Sequence, residues 1–245
     1  MENFSAIFKR EFRSYFATPI ALIFLVVFLM LSGAFTFKLG GFYEQGQADL
    51  RPFFAWHPWL FLFIVPAVSM RLWAEERKSG TIELLLTLPI GLWEAMLAKF
   101  FAAWCFVGLS LALTFPMVLT VLYLGSPDLG VVFAGYLGSF LMAGAYLAIG
   151  LFASSITKNQ VISFVIGTVI CFSLIMLGFE PWIDTLLKVS PVAWIVEEIT
   201  NLSFPYHFES IQRGVVDVRD VLYFISMILF FLVSGVVVLE RGKAD

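Results

Sequence analysis

Uncharged apolar runs alternate with short charged stretches along this chain. Pro19–Phe37, Pro52–Met70, Phe100–Pro127, Leu129–Thr157, Asn159–Phe179 and Val221–Leu239 contain no Asp, Glu, Lys or Arg, and each is at least 19 residues long. About 20 apolar residues at a rise of 1.5 Å span a hydrocarbon core of roughly 30 Å. The pattern predicts an all-α integral membrane protein with six transmembrane helices, at 19–38, 54–74, 94–124, 130–157, 160–179 and 220–240. Six buried helices of a soluble bundle would instead carry polar stripes at helical period, and the runs have none. Pro116 predicts a kink toward the outer end of the third span.

The stretches between the runs have their own periodicity. In Asn3–Phe16, Phe4, Ile7, Phe8, Phe12, Tyr15 and Phe16 share one broad helical face, with Lys9, Arg10 and Arg13 largely opposite. This predicts an interfacial amphipathic helix over 3–16, lying in the headgroup region of the lipid bilayer. Pro19 then opens the first span, where proline is tolerated. Glu11 breaks the pattern, because it falls inside the apolar face between Ile7 and Tyr15. It is either a fraying or snorkelling carboxylate, or one member of a buried ion pair with the basic cluster Arg71, Arg77 and Lys78, Arg77 above all. Residues 181–219 mix Trp182, Leu186, Leu187, Trp194, Ile195 and Ile199 with acids, which predicts short amphipathic helices at the outer surface.

Composition strengthens the membrane reading. The chain is 60% hydrophobic with 28 Phe, and its mean hydropathy is +0.93. The first run starts too late and is too long for a cleavable signal peptide. With the N-terminus cytoplasmic, ten of the basic residues fall on the cytoplasmic face and five on the other, out of 15 in all. That bias favours cytoplasmic termini. Cys105 and Cys171 lie inside apolar runs and read as small hydrophobes. His57 and His207 lack metal-ligand neighbours at useful spacing, so no metal site is expected. There is no phosphate-binding loop, dinucleotide fingerprint or zinc motif. Nothing points to nucleic acid. The absence of acidic or basic groups deep in spans three to six disfavours an ion-coupled carrier.

One segment does not fit an ordinary solvated loop: "AEERKSGTIELLLTLPI", Ala74–Ile90. Gly80 breaks the helix leaving the second span, and strong helix formers then lead to Pro89. This predicts a short helix at 79–89 with Leu84, Leu85 and Leu86 facing water, a patch that a partner usually covers. The extended stretch "AEERKSGTIELLLTLPIGLWEAMLAKF" resembles the signature between spans two and three of ABC-2-type transporter permeases. Glu76, Arg77, Gly80, Thr81, Glu83, Leu84, Leu85, Pro89, Glu94 and Lys99 carry the match. "FKREFRSYFATPIA" and "FASSITKNQ" resemble the interfacial helix and the span four–five turn of the same family, and together they most resemble its GldF-like, gliding-motility-type branch. Gly91 departs from the pattern, which has a Ser or Thr helix cap there.

The resemblance implies a non-catalytic permease subunit of an ATP-driven exporter in the bacterial inner membrane, with cytoplasmic termini. The segment at 79–89 would be a coupling helix docking on a separate ABC ATPase subunit through Thr81, Ile82, Glu83, Leu85 and Leu86. ATP and Mg would reside on that ATPase, with no cofactor in this chain. A second permease copy or a GldG-like membrane subunit would complete the complex. Phe24, Phe28, Phe61 and Phe63 would line a translocation seam between the two. Small residues on spans four and five (Gly135, Gly138, Gly144, Gly150 and Gly167) permit close helix approach, either between subunits or within one. An alternative is an ATPase-driven mechanical or assembly module that acts on an envelope partner without moving a solute.

Overall fold

The computed structural model describes residues 2–83, 91–179 and 200–241. All regular structure among them is helical. Helix α1 (Glu2–Ala17) is followed by α2 (Pro19–Ala34), whose last turn widens into a π-helical turn at Phe35–Leu39. Then come α3 (Arg51–Phe54), α4 (His57–Ser69) and α5 (Ala74–Ser79). Helices α6 (Leu92–Ala112) and α7 (Phe115–Leu124) form one bent rod, and α8 (Leu129–Ile156) and α9 (Gln160–Met176) follow. Helices α10 (Phe204–Gln212) and α11 (Val218–Arg241) complete the described fold.

Local chemistry explains the boundaries. Proline stands in the first turn of α2, where a missing N–H costs nothing. Asp128 Oδ1 accepts the N–H of Gly130 at 2.8 Å and caps α8, and Asn159 Oδ1 accepts that of Val161 at 2.9 Å and caps α9. Gly91 starts α6 with no side-chain cap, so this helix begins on backbone geometry alone. The bend expected near Pro116 is the turn at Leu113–Thr114, with Pro116 in the first turn of α7.

Helix α8 is the axis of the bundle, and α4, α6, α9, α10 and α11 pack around it. Its small residues make this possible. Gly138 lies against Ile211 of α10, Gly144 against Trp104 of α6 and Ile228 of α11, and Gly150 against Ser69 of α4. A Cβ on Gly167 would stand 3.6 Å from the Gly150 Cα, so α9 also closes on α8 at its glycines. The glycines therefore serve packing within one chain. The bundle is apolar outside as well as inside: Leu22, Ile23 and Met30 of α2, Val165 and Val169 of α9, and Leu229 and Phe230 of α11 are exposed. Such a belt suits hydrocarbon, not water.

Among the described residues, five segments are long and apolar enough to cross a membrane: Leu22–Leu39, Arg51–Ser79, Leu92–Leu124, Leu129–Ile156 and Val218–Arg241. Helix α9 is apolar but shorter, at 17 residues. Between α9 and α11, α10 is amphipathic: Phe204, Phe208 and Ile211 are buried, and the Ser203 hydroxyl accepts the Tyr206 N–H. It falls within the outer amphipathic stretch expected at 181–219. Residues 180–199 of that stretch lie outside the described residues.

The bundle has two chemically distinct ends. The proximal end holds α1, α5, the start of α6 and the last turns of α11, where Gly235 meets Met96 and Phe152. The distal end holds His57 and α10. His57 is fully buried beside Phe53, Phe54 and Phe61. Ser139 donates its hydroxyl proton to the Gly135 carbonyl at 2.7 Å and can accept from His57 Nδ1 at 2.6 Å. His207 Nδ1 lies 2.7 Å from Asp220 Oδ1, and its ring stacks on Tyr223 at 3.9 Å. Among the described residues, no cluster of three or more His, Cys, Asp or Glu could hold a metal.

Candidate functional site

At the proximal end a buried lysine meets carboxylates from two other helices. Helix α1 packs along α6. Its phenylalanines form a ladder at i, i+4 spacing, with Phe4–Phe8 at 6.3 Å, Phe8–Phe12 at 5.9 Å and Phe12–Phe16 at 5.3 Å. Ile7 and Tyr15 turn into the bundle, and the Tyr15 ring stacks on Phe106 of α6 at 4.7 Å. This packing carries Glu11, on the same face, toward α6.

Lys99 of α6 meets it there. Its Nζ lies 3.0 Å from Glu11 Oε1 and 2.9 Å from Glu76 Oε1 of α5. The residue is 1% exposed. Its ammonium also stands 5.1 Å from the centre of the Trp73 ring, within cation–π range. Arg10 adds contacts to Glu11 at 2.6 Å and Glu76 at 3.2 Å. The two cations and two carboxylates balance. Burial alone would raise the Glu11 carboxyl, but Lys99 and Arg10 outweigh that effect and hold it below the ordinary value.

The expected Glu11–Arg77 pair is not formed. Glu11 takes Lys99 and Arg10, and the Arg77 guanidinium donates to the Ser155 carbonyl at the end of α8. The reason is the course of the chain after α4. At the turn between α4 and α5 the Ser154 hydroxyl accepts the N–H groups of Trp73 at 3.0 Å and Ala74 at 2.9 Å. It donates in turn to the Met70 carbonyl at 2.9 Å. The hydroxyl's two lone pairs and one proton are all engaged. This fixes α5 so that Arg77 caps α8 while Glu76, one residue earlier, turns toward Lys99. Arg71 is used differently again: its guanidinium lies over the Tyr15 ring at 5.1 Å and donates to Thr18 Oγ1 at 3.3 Å.

Helix α5 ends at Gly80, which has φ +73°, a left-handed conformation that favours glycine. Residues 81–83 resume helical geometry. Thr81 and Glu83 are exposed, and Ile82 is half-buried against the core. Thr81 Oγ1 lies 2.8 Å from Ser79 Oγ. Leu85 and Leu86, with the rest of the expected coupling helix to Pro89, lie outside the described residues. A polar cavity of about 330 Å³ separates this segment from α1, lined by Glu11, Ser14, Thr18, Arg71, Leu72, Glu75, Glu76, Ser79, Thr81 and Lys99.

The aromatic seam divides. Phe24, Phe28 and Phe61 come together around a small apolar cavity shared with Phe106 of α6, and the Phe28 and Phe61 rings stack at 6.0 Å. Phe28 and Phe61 are buried within the chain, whereas Phe63 is exposed. Side chains at i and i+2 point to different helix faces, so Phe61 and Phe63 cannot line one surface.

Lys99, Glu76 and Ser154 are the residues that the sequence reading left without partners. A signal for the first was present. Glu11 lies on an apolar helical face, and Lys99 sits at the mouth of an uninterrupted apolar run. Two opposite charges, each misplaced, are natural partners.

These features define a multi-pass helical membrane protein with a buried ion-pair network at its proximal end. A family model described as an ABC-2 family transporter protein matches residues 43–239, well over half of the chain. The chain therefore belongs to the ABC-2 transporter family and is a membrane permease component of an ABC transporter. Members of the family are generally non-catalytic, and membership implies an ABC ATPase partner in general. No curated protein matches the chain.

Proposed function

We propose that this chain is the six-span permease subunit of an ATP-driven, GldF-like exporter in the bacterial inner membrane, with both termini cytoplasmic. The proximal end then faces the cytoplasm, and α9 is the fifth of six spanning helices. The segment Thr81, Ile82, Glu83, Leu85 and Leu86 docks on a separate ATPase subunit that carries ATP and Mg. A second permease copy or a GldG-like membrane subunit completes the assembly.

One observation carries the reading. The chain invests two sets of buried contacts, from Ser154 and from Lys99, in fixing the segment up to Ser79. It then leaves Thr81 and Glu83 exposed beyond a glycine hinge. Glu83 forms no ion pair among the described residues. A firmly mounted, polar-rimmed tip followed by three leucines has the anatomy of a binding patch.

The test is co-purification with a candidate ATPase, followed by ATP hydrolysis in lipid nanodiscs. Glu83→Lys and Leu85→Asp should each abolish ATPase capture while the chain still inserts. Full capture and full hydrolysis in both variants would remove the docking assignment.

A further inference from the structure

We propose that Lys99 is a positioning residue that joins α1, α5 and the first turns of α6 into one moving body, so that a displacement arriving through Gly80 reaches the spanning helices across an ionic junction. The inference rests on the docking reading above, but its first test does not need the ATPase.

Lys99 bridges elements that are remote along the chain. Glu11 is 88 residues away and Glu76 is 23. Two of the three ammonium N–H groups are assigned to these carboxylates, and the Trp73 ring lies beside the ammonium. Arg10 is mostly exposed, so its contacts to the same carboxylates are more screened than those of buried Lys99. The cohesion of the junction therefore rests on Lys99. Pulling any one element away strands a charge in a poorly solvated place, which is far costlier than breaking a surface pair. On its other side, α5 is held to α8 by the uncharged contacts of Ser154 and by Arg77. The segment thus has one anchor on α8 and an ionic one shared with α1 and α6.

Two details argue for a working joint over packing alone. Among the described residues Glu76 Oε2 has no side-chain or backbone partner, so this carboxylate is held to Lys99 through Oε1 alone. The adjoining cavity of about 330 Å³ gives the carboxylate room to change rotamer. A buried apolar side chain at position 99 would fill its site without either feature, and buried ion pairs are often replaceable by such residues without loss of stability.

The experiment uses the full chain in nanodiscs, with Cys105→Ala and Cys171→Ala. Spin labels are placed at Ser5→Cys on α1 and Lys78→Cys on α5, both exposed positions. The expected result is a single narrow distance that broadens or splits in Lys99→Met and is restored in Lys99→Arg. A neutral triple variant, Glu11→Gln, Glu76→Gln and Lys99→Met, leaves no unpaired buried charge. If the junction serves only folding, the triple variant behaves as wild type. On this proposal it folds and captures the ATPase but loses about tenfold of the ATPase-linked response. An unchanged narrow distance in Lys99→Met, or wild-type coupling in the triple variant, overturns the proposal. Failure of the wild type to capture any ATPase would remove the docking reading, and the label distances in the isolated chain would still decide the junction.

Discussion

The Ser154 hydroxyl oxygen lies 3.0 Å from the Trp73 backbone nitrogen, tying the end of α8 to the turn that aims α5. The same oxygen takes the Ala74 N–H. Ser154→Ala leaves two buried donors without an acceptor. Each such group costs about 1–3 kcal/mol, so the loss for the two should be roughly 2–6 kcal/mol. The measurement is the thermal midpoint of the purified chain in detergent. Ser155→Ala is the control, because its hydroxyl only returns to the Phe152 carbonyl of its own helix. Equal midpoints for the two variants would show that the turn is held by something else.

A second prediction concerns the crossing of α4 and α8. A Cβ on Gly150 would stand 2.8 Å from Ser69 Cβ, closer than side chains tolerate. Overpacking of this kind typically costs about 1–3 kcal/mol. Gly150→Ala should therefore destabilise the chain, and adding Ser69→Gly should recover part of the loss. A double-mutant cycle reads the coupling. Strict additivity would mean that the two helices do not meet through these residues.

Five of the expected spans were legible as long apolar helices because they need only one signal, an uncharged run of sufficient length. The central place of α8 was half legible. Gly135, Gly138, Gly144 and Gly150 announce close approach, but small residues do not say which neighbour approaches, and only the contacts with Ile211, Trp104 and Ser69 settle that it is this chain's own. The proximal site was the least legible part. Glu11 was recognisable as a misplaced charge, yet its partner depended on the turn at 70–73, where Ser154 rotates α5 and sends Arg77 to α8 and Glu76 to Lys99. A side-chain hook from a helix 80 residues away leaves no periodic trace in the sequence. Phe63 was grouped with Phe61 by composition, and helical geometry separates them.

Glu11 should give the proximal end an acid limit. Its carboxyl is held below its usual value of 4.5 against the opposing effect of burial. A carboxyl with a depressed folded value contributes stability that is fully present above the unfolded value. That contribution is lost as pH falls through the folded value. The thermal midpoint of the wild type should thus exceed that of Glu11→Gln at pH 7. The difference should shrink as pH drops below about 4.5, the starting value for Glu11. Parallel pH profiles for the two proteins would show that Glu11 is not held by its cations.

The number of spans turns on α9. Its 17 residues measure about 25 Å at the helical rise, at the short end of what crosses a hydrocarbon core. A helix this short spans only if its flanks reach the interfaces, and its ends allow that. Lys158 and Asn159 precede it at the proximal end, and Gly178 packs against Ser203 near α10 at the distal end. If α9 crosses, Lys158 and Asp217 lie on opposite sides of the membrane. If it lies flat, they share a side and the chain has five spans. Both positions are exposed, so each can carry a single cysteine in a Cys105→Ala, Cys171→Ala background. A membrane-impermeant thiol reagent applied to intact spheroplasts should label Asp217→Cys at once. It should label Lys158→Cys only after the membrane is opened. Labelling of both from one side would overturn α9 as a span. It would also separate the two chain ends, which the packing of Gly235 against Met96 and Phe152 places together with α1.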